Sequence, residues 1–357
     1  MIESQINRLK SVLSVPTKTY QEDKMVEYIC NELDNIEGID YYLDEMKNIY
    51  VTKGKLLDGM FYPMFIAHTD TVHNLVDEIV VKEEMIEKPH TFGMSFDDGE
   101  HLSLKGYTPD GNPTGIGGDD KCGVFLALEL LRTLQFVKIG LFVSEETGCH
   151  GSQKCDLEFL KDVGYAVQFD APGNHLITEV CSGVRMYEKD GEFINRIIPI
   201  FKKNMGVTPL QQSHPYTDVS QIKRKGDFSC INFSCGYYRM HTPEEFVVIK
   251  DIEDSFKLAL EVVNNLGYEK YEYTYEKPNY LNSSQGVLFS DDEDLYEDDY
   301  DYEDSQFVEG KGNYFYVSND VIEIESKTTG HVLKLEKEDM ADMYLIIREI
   351  LLNEQEI

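Results

Sequence analysis

Apolar residues recur at helical spacing from Ile2 to Val15 and again from Tyr20 to Leu33, the second stretch following a Thr-rich turn able to cap it. Uninterrupted apolar runs then follow at Met64 to Ala67, Ile139 to Val143, Tyr165 to Phe169 and Cys230 to Ser234. Such short runs without polar alternation predict strands buried on both faces of a sheet. Cys122 to Leu134 is apolar and long enough for a helix, and Lys250 to Leu266 predicts another that stops at Gly267 as a C-cap. Strands separated by helices predict an α/β fold, with a mainly parallel central sheet sandwiched by helices.

The pattern breaks after residue 267. From Asp291 to Asp304, ten of fourteen residues are Asp or Glu, too few apolar groups to bury a core. Asn313 to Val317, Val321 to Glu325 and Val332 to Leu335 read as three short strands, and Met340 to Leu352 as an amphipathic helix. The expected organisation is a catalytic domain over 1–267, a linker over 268–306 and a small α+β accessory module over 307–357. The acidic run reads first as a solvated spacer, with a lure for a basic protein as the alternative.

Charge narrows the function classes. The 357 residues carry 66 acidic against 33 basic side chains, a net charge of −33. Such a surface repels phosphate backbones and anionic headgroups, so nucleic acid and membrane are not expected partners. No apolar run approaches the ~20 residues that span a bilayer, and the amphipathic start from Met1 to Leu13 lacks a secretory core. The seven cysteines form no CxxC pair. They read as reduced thiols in a cytoplasmic protein.

The candidate chemistry lies just beyond the apolar runs. Met64–Ala67 leads into His68-Thr69-Asp70, Ile139–Val143 into Ser144-Glu145-Glu146, Tyr165–Phe169 into Asp170, and Cys230–Ser234 through Gly236 to His241. Gly117-Gly118-Asp119-Asp120-Lys121 opens the Cys122–Leu134 helix. Singly, each has a bland reading: carboxylates cap helices, Glu pairs sit in solvent, and an Asp before Pro172 and Gly173 makes a turn. Jointly they favour convergence, because ligands of open α/β sheets bind at the carboxyl ends of the strands. Two His and three carboxylates, one of them bridging, are the donors preferred by zinc, cobalt or manganese. A fourth carboxylate is left over as proton shuttle.

These residues resemble the dinuclear zinc exopeptidases, the clan of peptidase T, the glutamate carboxypeptidases and the bacterial zinc aminopeptidases. The matching stretches are Ile-Ala-His68-Thr-Asp70, Gly118-Asp119-Asp120-Lys121, Ser144-Glu145-Glu146-Thr-Gly, Phe169-Asp170, Thr217-Asp218, and Ser234 through His241-Thr-Pro-Glu-Glu-Phe. They span roughly residues 1 to 267, and the last stretch and the Asp-Asp-Lys run are most similar to peptidase T. The resemblance implies two divalent metal ions, zinc first with cobalt or manganese as alternatives. It implies His68 on one and His241 on the other, Asp119 bridging, and Glu146 and Asp170 completing the two shells. Glu145 would be the general base, Asp70 would orient His68, and Asp120 would support without ligating. Peptidase T inserts a lid and dimerisation domain between the positions of Asp170 and His241. Only seventy residues separate them here, so no lid is expected, and any homo-oligomer would not use one.

The expected activity is therefore removal of N-terminal residues from short peptides, with a related deacylase acting on an N-acyl amino acid or other non-peptide amide as the alternative. A binding protein that kept only the fold is the third reading, disfavoured because no key position is missing. His214, Tyr237, Tyr238 and Arg239 are candidates for contacting substrate or its oxyanion, and Arg185, Arg196 and Arg239 for a peptide carboxylate. Sealing of the site is expected from the Asp77–Thr114 insertion or the C-terminal module.

Overall fold

The computed structural model describes residues 1–89, 99–214 and 216–275, together with four strands nearer the C-terminus. It divides into two compact units, Met1–Glu276 and Lys277–Ile357. The first opens with α1 (Glu3–Leu13), α2 (Asp23–Leu33), β1 (Ile39–Leu43), β2 (Ile49–Lys53), β3 (Tyr62–His68), β4 (Val80–Glu87) and β5 (Glu100–Tyr107). Next come α3 (Gly118–Thr133), β6 (Val137–Phe142), α4 (His150–Gln153), α5 (Leu157–Leu160), β7 (Val163–Ala171), β8 (Leu176–Cys181) and β9 (Val184–Arg185). It closes with α6 (Glu192–Met205), β10 (Leu210–His214), α7 (Asp218–Lys225), β11 (Ser229–Ser234), β12 (Tyr237–Tyr238), β13 (Phe246–Val248) and α8 (Ile249–Leu266).

A nine-stranded sheet runs in the order β1-β2-β6-β3-β7-β11-β8-β10, with β9 beside β8. Its centre, β6-β3-β7-β11, is parallel, while β1, β2 and β9 pair antiparallel. The sheet is thus mixed, parallel where the apolar runs predicted it. All of β3, β6, β7 and β11 is buried, as strands covered on both faces must be. Along α3 every residue from Gly118 to Leu131 is buried, so this helix is central and not amphipathic.

From β3 the chain crosses through α3 to β6 on one side, then returns through α4 and α5 to β7 on the other. The carboxyl end of β3 is therefore a topological switch point, where an open sheet leaves a crevice for ligands. Register places the side chains that face it. His68 lies opposite Phe142 of β6, and Ile66 opposite Gln168 of β7, so two residues further Asp170 comes alongside His68.

Strands β4 and β5 of the 77–114 insertion join β12 and β13 in a second sheet, ordered β12-β13-β5-β4, whose β12–β13 connection carries His241. Residues 268–275, expected to begin the linker, pack on the first unit instead. Phe61 N–H donates to Tyr268 O, Ser229 N–H to Tyr271 O, and Tyr273 N–H to Asp227 O. Tyr271 is buried among core residues, an apolar anchor that the helix stop at Gly267 concealed.

In the second unit β14 (Gln306–Glu309), β15 (Asn313–Val317), β16 (Val321–Ser326) and β17 (Val332–Glu336) form an antiparallel four-stranded meander. Three of these are the strands expected from the sequence. The acidic run and the expected helix at 340–352 lie outside the described residues. Among the described residues no helix is long and apolar enough to cross a membrane.

Candidate functional site

Asp119 is the geometric centre of the site. Its Oδ1 lies 3.1 Å from His68 Nε2 and its Oδ2 3.3 Å from His241 Nε2, so one carboxylate faces two imidazoles with one oxygen each. Beyond His68, Asp170 Oδ1 is 3.7 Å from the same Nε2. Beyond His241, Glu146 Oε2 is 3.3 Å from that Nε2. The two resulting donor sets, His68–Asp119–Asp170 and His241–Asp119–Glu146, share Asp119.

Backbone and neighbours fix these groups. Asp119 and Asp120 have non-helical dihedrals at the start of α3, and the peptide between them is cis. Asp120 turns away: Oδ2 accepts from His68 N–H at 3.2 Å and Oδ1 from Gly123 N–H at 3.0 Å. Donor atoms of His68, Asp119 and Glu146, and of His68, Asp120 and Asp170, lie within 4.8 Å of one another. With both Asp120 oxygens already held by backbone amides, Asp119 is the better partner for His68.

Asp70 is fully buried and organises the other side. Its oxygens accept from Glu145 N–H at 2.9 Å, Glu146 N–H at 3.2 Å and the Thr19 hydroxyl at 2.8 Å. His68 Nδ1 sits 3.3 Å from Asp70 Oδ1 and 3.1 Å from its carbonyl. One carboxylate thus orients the imidazole and both members of the Glu pair. Asp170 is held by Thr217 Oγ1 at 2.5 Å, Gln168 Nε2 at 3.2 Å and the Tyr237 hydroxyl at 3.3 Å. Glu145 Oε2 lies 3.9 Å from His68 Nε2, while the Cys149 thiol donates to Oε1 at 3.5 Å.

The electrostatics are lopsided. Asp70, Asp119, Asp120, Glu145, Asp170 and Asp218 are buried, and Glu146 is half-buried, against two imidazoles. Lys121, the nearest lysine in sequence, directs Nζ to the carbonyls of Leu13 and Ile116. Burial first, then the charges of Asp170, Asp218 and Glu146, push Glu145 well above the usual carboxylate range. Burial and Asp119 push Glu146 up to about 7, and burial does the same to Asp218. Hydrogen bonding to Asp119 and Glu146 raises His241 to about 10. Burial works against a charged His68, but Asp119, Asp170 and Asp70 hold it well above its ordinary value. Glu146 Oε1 and Asp218 Oδ2 are buried without a hydrogen-bond partner among the described residues. Crowded carboxylates, two imidazoles and an unpartnered inward oxygen suit divalent cations.

Few of the substrate contacts expected from the sequence face this cluster. Tyr237 gives its hydroxyl to Asp170. Tyr238, next along the strand, points the opposite way and donates to Asp251 at 2.6 Å, which corrects its expected oxyanion role. His214 ends β10, and its side chain lies outside the described residues. Arg185 pairs with Glu179, and Arg196 with Glu192, Tyr271 and Asn265. Arg239 is exposed two residues before His241, its guanidinium 5.9 Å from the Phe246 ring centre. Sequence reasoning missed Glu22, whose Oε1 accepts from Ser144 N–H at 3.1 Å and braces the Glu145 loop. It also gave Glu245 no role. A polar residue in a helix or strand flank carries no signal of which distant loop it grips.

No family model matches the chain. No curated protein matches it in sequence. Solved structures share its fold. An aminopeptidase PepT from Bacillus cereus superposes with a TM-score of 0.59 at 14% identity, over 74% of this chain and 98% of that one. A tripeptidase from Staphylococcus aureus gives 0.53 at 16% identity, over 72% and 96%. A TET aminopeptidase from a marine-sediment thaumarchaeon gives 0.54 at 13% identity, over 74% and 98%. The chain therefore has the α/β fold of these aminopeptidases.

Proposed function

We propose that the protein is a metal-dependent exopeptidase that removes N-terminal residues from short peptides. The observation that carries this is the Asp119 carboxylate set between two imidazoles, each with its own further carboxylate. His68, Asp119 and Asp170 would hold one divalent cation, and His241, Asp119 and Glu146 the other, zinc being the first candidate. Such a pair activates water and polarises a carbonyl. Glu145 takes the proton from the attacking water and returns it to the leaving amine as the C–N bond breaks. Asp70 keeps Glu145 and His68 aimed together. The same fold in solved aminopeptidases and a tripeptidase supports the reading. A site dense in carboxylates favours the free ammonium of a peptide.

Cation loading should release protons. In the cation-free protein His241, raised to about 10, is protonated at pH 8, and His68 is shifted upward as well, yet ligation needs neutral imidazoles. His241 alone should release about one proton on cation loading at pH 8, with His68 adding in the same direction and Glu146 as pH falls through about 7. Affinity therefore weakens as pH falls. Calorimetric titration in buffers of different ionisation enthalpy measures the count, and zero protons released would contradict the ligand set.

The activity is tested by mass-spectrometric digestion of a short-peptide library carrying free, N-acetylated and C-amidated ends, with zinc, cobalt or manganese supplied. Loss of N-terminal residues from free-amine peptides alone is expected. Turnover confined to N-acyl substrates would favour a deacylase, and no cleavage with cations bound would overturn the peptidase reading.

A further inference from the structure

We infer that Glu245 is a positioning residue that sets the distance between the two halves of the cation site; this rests on the proposed ligand set. Glu245 is fully buried at the end of the turn that follows His241, immediately before β13. Its own N–H donates to Thr242 O at 3.1 Å, closing that turn. Its carboxylate crosses to the loop that carries Asp119. Oε1 accepts from Asp119 N–H at 3.1 Å and Oε2 from Gly117 N–H at 3.0 Å.

The distorted first turn of α3 makes this grip necessary. Asp119 and Asp120 lie outside helical dihedrals, and Gly117 has φ 68°, so the helix does not by itself direct these amides. At a helix start such donors need an outside acceptor, and here Glu245 supplies it. Gly118 lets the two segments touch: a Cβ there would meet Tyr237 Cβ at 2.6 Å, Val247 Cγ2 at 2.9 Å and Glu245 Oε1 at 3.2 Å. The His73 imidazole completes the clamp, with Nε2 2.5 Å from Glu245 Oε2. It packs so closely on Gly115 that no side chain fits at that position. His73 and Glu245 touch none of the proposed ligand atoms in these contacts. They join the segment that presents Asp119 to the segment that presents His241.

Asp119 is also tied to the His68 half, by its own contact with His68 Nε2 and by Asp120, which accepts from His68 N–H, whereas His241 sits in an exposed loop. Loosening the clamp should therefore harm the His241 half more. Glu245→Gln keeps the shape but loses one acceptor, leaving one of two backbone amides unpaired.

The test is zinc titration of the full chain by calorimetry, repeated with cobalt by visible absorption, for wild type, Glu245→Gln and His73→Gln. Two cations per wild-type chain are expected. In Glu245→Gln one should weaken by about 10–100-fold while the other holds, with an altered cobalt spectrum for the weakened site. His73→Gln should weaken the same site less. A general loss of stability would lower both affinities together, so the unequal loss identifies positioning. Two cations bound by wild type and by both variants with unchanged affinities would overturn the inference. If Glu245→Gln does not fold by circular dichroism, His73→Gln decides: weakening at one site supports the clamp, and two unchanged sites refute it. Fewer than two cations on wild type would overturn the ligand set beneath it.

Discussion

Asp119→Ala is expected to abolish binding of both cations and to reduce peptide turnover to background. Its carboxylate is the one group set between both imidazoles among the described residues, with oxygens 3.1 Å from His68 Nε2 and 3.3 Å from His241 Nε2. Loss of an outer partner of a metal ligand already costs about 10–100-fold in affinity. Loss of a ligand common to both halves should exceed about a hundredfold for each cation. His68 and His241 would also lose the carboxylate that holds their charged forms, so their titration should shift toward ordinary histidine values. Metal content by mass spectrometry and histidine titration by nuclear magnetic resonance check the two halves of this expectation. Retention of two tightly held cations in Asp119→Ala would remove Asp119 from the site.

Glu145→Gln separates chemistry from assembly. Glu145 Oε2 lies 3.9 Å from His68 Nε2, close to the site but outside both donor sets. The amide keeps the size and the backbone N–H bond to Asp70 while losing the ability to carry a proton. Turnover should fall by about 10²–10⁴-fold, the usual range for a general acid–base group. The cation count should stay at the wild-type value. Full activity in this variant would require another base, and loss of a cation would make Glu145 a ligand.

Much of this arrangement was legible in the sequence because the parallel strands are short apolar runs, and such runs end where a site begins. The run before His68 became β3, and the one before Asp170 became β7, each buried throughout. Adjacent register then set His68 and Asp170 side by side, something spacing alone does not reveal. The second sheet was hidden for a physical reason. Strand β4, Val-Val-Lys-Glu-Glu-Met-Ile-Glu, is at most half-buried at every position, so neither an apolar run nor clean alternation marks it. Helix α6 carries Pro199 in its interior, a residue that argues against a helix from sequence.

Polar supports were less legible than ligands. Tyr237 and Tyr238 look equivalent in sequence, yet strand alternation sends one hydroxyl to Asp170 and the other to Asp251. Glu22 and Glu245 resemble any acidic residue in a chain that has 66 of them. Their roles follow from contacts across more than a hundred positions, Glu22 to Ser144 and Glu245 to Gly117 and Asp119. Only the folded sheet brings these segments together.

The central claim is a two-cation site built on Asp119, and zinc titration of the intact, cation-stripped protein tests it most directly. Two zinc ions per wild-type chain, with binding lost at both positions in Asp119→Ala, is the predicted result. One zinc per chain, or two in both proteins, would contradict it.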